Sequence, residues 1–523
     1  MDSRKIPKTM STQHPDNATV PPWADGEAIQ EEAELHEAFH AYRELGCNEV
    51  MWDSEGKDVD TNVVRKLLSN YPDYFREHVI GEDVFLTYRI PNPQIETAER
   101  KIVTETLQTI PLSADVAGVF YNRTSTPVFE VILPFTTSGK ELVYLHEYYH
   151  RAIVGVEDMV LDGSTRVRDW IGTFHPKKIA PIPLIEDSDS LLNADSIVRG
   201  YLSAAKVTGV RVFIARSDPA LNYGMVPAVL LSKVALSRLG SLEEETGARI
   251  YPIMGVGTMP FRGHLSPEDP GRFLEEYRGV YTVTTQSAFR YDHPAAVVKA
   301  AISTLNSGLP SGRPVSTEGV EPHLKSAMAG FTRAYQTRVE ELAPLITAVA
   351  SLVPRRRARK LHIGLFGYGR SVKGVSMPRA IPFAAALYTL GIPPELLGAE
   401  AMKGLTKPEW DALGAHYLKM KDDFGFAGGL VSWENINLLA DRRTDVAKAV
   451  GTKAETVKSS LGMVMSDLSA VEESLSVRLG PTGGRFKKHE NFVNNFLISY
   501  LEGEEAEARA ALMEAAELRR CLG

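Results

Sequence analysis

The chain has 523 residues, of which 44% are hydrophobic and 24% charged, with a formal net charge of −8. That length and apolar content can bury a large core, which excludes a disordered or low-complexity chain. The acidic balance excludes a general attraction to nucleic acid or to an anionic membrane surface.

In chain order, Met1–Lys5 lacks the apolar stretch of a secretion signal, so a cytoplasmic location is expected. Residues 1–45 read as an N-terminal segment, with a polar run at Met10–Asn17 (MSTQHPDN) that contains His14. By composition alone, His14 is an exposed tail histidine. Short buried-strand patterns then recur at Glu49–Trp52, Val84–Ile90, Val128–Leu133, Ile179–Ile185, Val210–Ala215, Arg249–Met254, Val280–Thr284 and Leu361–Phe366. Helical patterning separates most of them, as at Asp60–Asn70, Thr97–Thr109, Ser190–Val207 and Met225–Leu239. Eight β units alternating with helices predict a (β/α)8 barrel over residues 46–370, with a long helical insertion at about 295–358 that includes the amphipathic Ala327–Leu352. A doubly wound open sheet is the alternative, because sequence does not show closure. Residues 371–523 read as an all-helical region packed on the barrel, ending in an exposed Ala- and Glu-rich helix at Glu502–Arg520. The only cysteines, Cys47 and Cys521, sit at a strand start and in the tail, so no disulfide framework is expected. No apolar run reaches the roughly 18 residues of a membrane span.

The chemistry clusters just after these runs. Asp53, Glu55 and Lys57 follow the first, Arg89 ends the second, and Glu186 and Asp218 follow the fourth and fifth. Arg262 and His264 follow the sixth, Gln286 and Arg290 the seventh, and Gly367–Arg370 the eighth. Strand C-terminal ends carry the active site in parallel α/β barrels. Glu186 and Asp218, about one βα unit apart, therefore make a candidate site for a hard divalent cation, Mg2+ or Mn2+. An N-cap role before Pro219 accounts for Asp218 alone, but not for the matching Glu186. Arg89, Arg262 and Arg290 are candidate clamps for an anionic substrate, since guanidinium matches carboxylate and phosphate geometry. His146-Glu147-Tyr148-Tyr149-His150 fits the H-E-x-x-H zinc-peptidase pattern, but lacks the extended third-histidine motif and lies away from the strand-end acids. It reads as an ordinary helix.

Met10–Asn17, Met51–Lys57 (MWDSEGK), Tyr88–Pro93 (YRIPNP), Ile182–Asp187 (IPLIED) and Gln286–Tyr291 (QSAFRY), in that order, resemble archaeal-type phosphoenolpyruvate carboxylase. The resemblance covers nearly the whole chain. It implies His14 as the catalytic histidine, Glu186 and Asp218 as metal ligands, Arg89 and Arg290 as substrate-binding arginines, and Arg262 and Arg290 as catalytic arginines. It also implies a homotetramer that carboxylates phosphoenolpyruvate with bicarbonate, using Mg2+, to oxaloacetate and phosphate. Two departures stand out. Phe261-Arg262-Gly263-His264 replaces the Gly-Arg-Gly-Gly loop of the larger enzymes, and Leu221 replaces their lysine after Ser217-Asp218. A Mg2+-dependent lyase of the citrate-lyase type shares the acids and arginines but not the His14 motif. A zinc peptidase and a non-catalytic scaffold are the readings from other classes.

Overall fold

The computed structural model describes residues 5–24, 26–30, 32–55, 60–96, 100–357, 371–372 and 375–523. Eight parallel strands close a barrel: β1 (Thr9–Ser11), β2 (Glu49–Asp53), β3 (Phe85–Arg89), β4 (Glu130–Leu133), β5 (Ala180–Ile185), β6 (Gly209–Ala215), β7 (Arg249–Gly255) and β8 (Thr282–Thr285). They are ordered around the barrel as in the chain, and β1 closes it by pairing with both β8 and β2. Seven of the eight expected runs are therefore strands. The eighth, Leu361–Phe366, lies outside the described residues, and the closing strand is instead Thr9–Ser11.

That corrects the expected domain bounds. The barrel begins at Thr9 rather than near residue 46, and its last strand ends at Thr285. The helices Ala295–Gly308 and Glu321–Ala350 follow the barrel instead of interrupting it. A three-residue strand reading Thr-Met-Ser carries no apolar run, and its place is set by ladder bonds to neighbours far away in sequence. Periodicity does not reveal such an element.

Side chains that alternate along the strands fill the barrel in layers. Near its N-terminal end, the even-numbered strands contribute Glu49, Glu130, Arg211 and Thr282. Arg211 donates to Glu49 at 2.7 and 2.8 Å, to Glu130 at 2.8 Å and to the Thr282 hydroxyl at 3.1 Å. Burial opposes the charge of Arg211, but the two glutamates hold it protonated more firmly than an ordinary arginine. Two residues further along, Met51, Ile132 and Phe213 belong to a separate apolar cluster with Met10, Ile182, Leu184, Ala215 and Ile253. The same two-residue step carries Met51 to Asp53, Thr87 to Arg89 and Leu184 to Glu186, which delivers charge to the C-terminal mouth.

The C-terminal third is helical from Ala380 onward, after a two-stranded turn at Ser371–Val372 and Val375–Ser376. It packs on the mouth of the barrel. Lys419 N donates to Glu276 (2.7 Å), and Leu522 N donates to Asp16 O (2.7 Å). The terminal helix, Glu505–Arg519, is not simply exposed as expected: Ala508, Leu512, Ala515 and Ala516 are buried. The helix Met225–Thr246 is long and apolar enough to cross a membrane, contrary to the sequence reading, but it is mostly buried in the core of this fold. Cys47 and Cys521 are both free and buried.

Candidate active site

Arg89 is the central cation of the mouth. It grips Asp53 with two parallel bonds of 2.9 and 2.6 Å and reaches Glu55 at 3.1 Å. Fork-on-fork geometry of this kind fixes the guanidinium plane as well as its position. Burial disfavours the charge of Arg89, but Asp53, Glu55 and Glu186 together hold it protonated well beyond the usual range.

Glu186 lies across from this group. Its Oε2 accepts from the amide of Phe135 at 2.9 Å. Phe135 has φ of 50°, a left-handed conformation that costs a non-glycine residue about 1 kcal/mol. The Asn92 amide holds the same turn by donating to Pro134 O at 2.9 Å. A strained, buttressed turn thus aims one backbone N–H at one carboxylate. Asn92 was not among the expected site residues, although it stands inside the YRIPNP motif. Burial, then Asp218, then Glu55 push the Glu186 carboxyl well above the usual carboxylate range, and Arg89 only partly offsets them. Four acids, Asp53, Glu55, Glu186 and Asp218, gather around Arg89, so this part of the mouth is rich in negative charge.

Such a site favours a cation. Its donors are carboxylate oxygens, which suit a hard divalent ion, and two protein carboxylates plus water and substrate make an ordinary Mg2+ set. Among the described residues no group of three or more His, Cys, Asp and Glu side chains is arranged to hold a metal. The HEYYH stretch forms no zinc site. Its α-helix, Gly139–Tyr148, widens into a π-turn at Tyr149–Val154, with His146 buried and His150 exposed beside Lys177 O (3.3 Å).

His14 is not a tail residue. It follows β1 by three positions, so it stands at the same end of the barrel as Arg89 and Glu186. Thr12 N bonds Thr285 O (3.2 Å), and Ser287 N bonds His14 O (3.3 Å), which anchors the segment to β8. The ring Nδ1 lies 2.9 Å from the Thr12 hydroxyl, which helps to fix the orientation of the imidazole. Gln13 Oε1, at 3.4 Å from Asp53 N, joins this segment to the Arg89 group.

The other two arginines sit differently from the expectation. Arg290 is buried, and its guanidinium is spent on Ser11 Oγ (2.6 Å), Thr12 O (2.9 Å), Thr285 O (2.7 Å) and Glu37 (2.7 Å). It clamps β1 to β8 through these bonds. A buried run of strand-end carbonyls needs a cation to satisfy it, which spacing alone does not distinguish from a substrate clamp. Arg262 lies closer to the mouth. It donates to Ser217 Oγ (3.0 Å), Asp16 (3.0 Å), Gly523 O (2.6 Å) and Gln286 Oε1, thereby linking the neighbour of Asp218 to the His14 segment.

A family model described as phosphoenolpyruvate carboxylase matches residues 6–523. The chain belongs to the phosphoenolpyruvate carboxylase family. A relative of that name from Metallosphaera sedula is 47% identical over 99% of this chain and 100% of its own. One from Caldivirga maquilingensis is 44% identical over the same shares. Another, from Methanospirillum hungatei, is 50% identical over 76% of this chain and 82% of its own. In this phosphoenolpyruvate carboxylase, Glu186, Arg89 and the His14 segment all stand at the C-terminal end of the barrel strands.

Proposed function

We infer that this chain is a carboxy-lyase that joins bicarbonate to phosphoenolpyruvate, releasing oxaloacetate and phosphate. Family membership carries the activity. The observation that carries the assignment of roles is the Glu186 carboxyl, crowded by Asp218 and Glu55 and driven toward its protonated form until a cation relieves it. Enzymes of this family depend on a metal, and we propose that Glu186 and Asp218 hold Mg2+, with Mn2+ as a substitute. When bound, that ion supplies positive charge to the developing enolate oxygen.

The chain's own residues do the rest. Arg89, preset by Asp53 and Glu55, meets the phosphoryl group and holds it while bicarbonate attacks phosphorus, giving carboxyphosphate and the enolate of pyruvate. His14, its Nδ1 fixed by Thr12, takes the carboxyphosphate proton at Nε2 and releases CO2 beside the enolate carbon. Carbon–carbon bond formation then gives oxaloacetate. The helical layer over the mouth keeps water away, because a protonated enolate would end as pyruvate. Arg290 and Arg262 position strands and turns instead of touching the reacting atoms. A cytoplasmic homotetramer belongs to the same proposal; the free, buried cysteines accord with a reducing compartment.

The test is bicarbonate-dependent oxaloacetate formation by the purified protein. His14→Asn should abolish oxaloacetate, and any residual phosphate release from phosphoenolpyruvate should no longer need C–C bond formation. Full carboxylation by that variant would remove His14 from the mechanism.

A further inference from the structure

Arg262 sits in a tight turn, Met259–His264, that folds back on itself through Arg262 N to Met259 O (3.0 Å) and Gly257 N to Arg262 O (2.9 Å). The helical layer grips this turn on both sides of the arginine with two carboxylates. On one side, Asp423 meets His264 Nδ1. On the other, Glu395 Oε1 accepts from the Phe261 amide at 3.0 Å and from the Tyr388 hydroxyl at 2.5 Å. Only this second grip involves a backbone group adjacent to Arg262.

The two grips differ in kind. Asp423 also takes Arg272 (2.6 Å) and Tyr417 (2.6 Å). Burial opposes its charge, but His264 and Arg272 keep its carboxyl below the usual range, so it is a fixed anion. Glu395 is 2% exposed, and its Oε2 is buried with no hydrogen-bond partner among the described residues. No ion pair with Glu395 occurs among those residues. A buried carboxyl with one orphaned oxygen is a costly place for a charge.

We propose that Glu395 is a positioning residue for carboxylation, holding the Phe261 amide so that the Arg262 guanidinium spans Ser217, Asp16 and Gln286. The inference rests on the reading of Arg262 as the link between the metal acids and the His14 segment. Glu395 touches neither substrate nor metal acids; it acts through the turn.

The hold is sensitive to pH in the neutral range. Burial first, with Asp423 adding to it, pushes the Glu395 carboxyl up to about 7. The groups facing it are Tyr388 on the helix Ala380–Thr389, Asp423 on Met420–Gly428, Arg519 on the terminal helix and the Phe261 amide; Tyr335, in the same pocket, spends its hydroxyl on Leu221 O (2.9 Å). Arg519 stays cationic, lowered by burial only to about 10; its two Nη groups go to His489 (2.8 Å) and Leu522 O (3.1 Å), and its Nε has no hydrogen-bond partner among the described residues. A raised folded-state value means that the neutral form stabilises the fold below the unfolded value, and that this contribution is lost as pH rises through about 7. Above that, the buried charge draws in water or displaces the turn, and Arg262 loses its register.

Three variants test this by kcat and KM for phosphoenolpyruvate against pH, each with thermal denaturation as a folding control. Glu395→Leu removes the acceptor and should lower kcat by about 100-fold, as misplacing a catalytic element by about an ångström does, with little change in KM. Glu395→Gln keeps an acceptor for Phe261 but cannot ionise, so its alkaline loss of kcat should move to higher pH than in the wild type. Arg262→Ala should be at least as impaired as Glu395→Leu. Wild-type kcat in Glu395→Leu overturns the proposal; if that variant does not fold, an unmoved alkaline limb in Glu395→Gln overturns it. Wild-type turnover in Arg262→Ala would instead sink the reading of Arg262 on which the proposal stands.

Discussion

The two ends of the barrel both bury charge, but they balance it differently. At the N-terminal end, Arg211 is shared by Glu49 and Glu130, with Thr87 and Thr282 hydroxyls completing the contacts. At the C-terminal mouth, Arg89 is already committed to Asp53 and Glu55, and Glu186 faces Asp218 with Arg89 only partly offsetting the crowding. A buried charge that finds its partner inside the chain is architecture. One that is crowded by like charge and only partly offset marks a place where something else can bind. The difference is legible only in three dimensions, because both ends contribute Glu and Arg to strands of the same sheet.

The comparison breaks most visibly in a pair of variants. Glu186→Ala with Asp218→Ala should cost turnover on the order of 10^3-fold or more, since it removes the cation's charge from the enolate. It should leave the metal-free fold equally or slightly more stable, because it relieves repulsion. Arg211→Met should do the reverse, destabilising the fold by about 3–5 kcal/mol by stranding two buried glutamates, while molecules that remain folded keep their kcat. Chemical denaturation and steady-state rates on the same preparations check both signs.

A smaller effect sharpens the picture between the two ends. Glu37 is buried, which alone would raise its carboxyl, but Arg357 and Arg290 bring it down to about 2. A depressed folded-state value means stability that is present above the ordinary glutamate range and is lost as pH falls toward about 2. The loss should reach on the order of 3 kcal/mol in the wild type and be absent from Glu37→Gln, measured by denaturation across that acid window. The smallest effect is expected at His146. His146→Ala should leave carboxylation unchanged and cost under about 1 kcal/mol, as measured by melting; loss of carboxylation in the folded variant would contradict the reading of this stretch as an ordinary helix.

Much of this was readable from the chain. The runs ending at Glu186 and Asp218 gave the strands and their terminal acids, because a buried parallel strand is an uninterrupted apolar stretch. β1 was not readable, since Thr9–Ser11 is polar and paired only through long-range ladders, and with it went the placement of His14. The His14 motif was recovered through the family resemblance, not through physics. Arg211 was hidden inside the apolar Val210–Ala215 run, its partners supplied by strands far away in sequence. Arg290 is the opposite case: its strand-end position suggests a substrate clamp, and its bonds to the carbonyls of Thr12 and Thr285, invisible in the sequence, show a bracing role. Spacing gives the end of the barrel on which a side chain lies, but not which way it turns.

Titration of the purified protein with Mn2+, followed by calorimetry or electron paramagnetic resonance, tests the central claim most directly. One Mn2+ should bind per chain and compete with Mg2+, and Glu186→Gln should abolish that binding while the protein stays folded. Undiminished Mn2+ binding by the folded Glu186→Gln variant would contradict the account, because the Glu186 carboxylate would then not be what holds the ion.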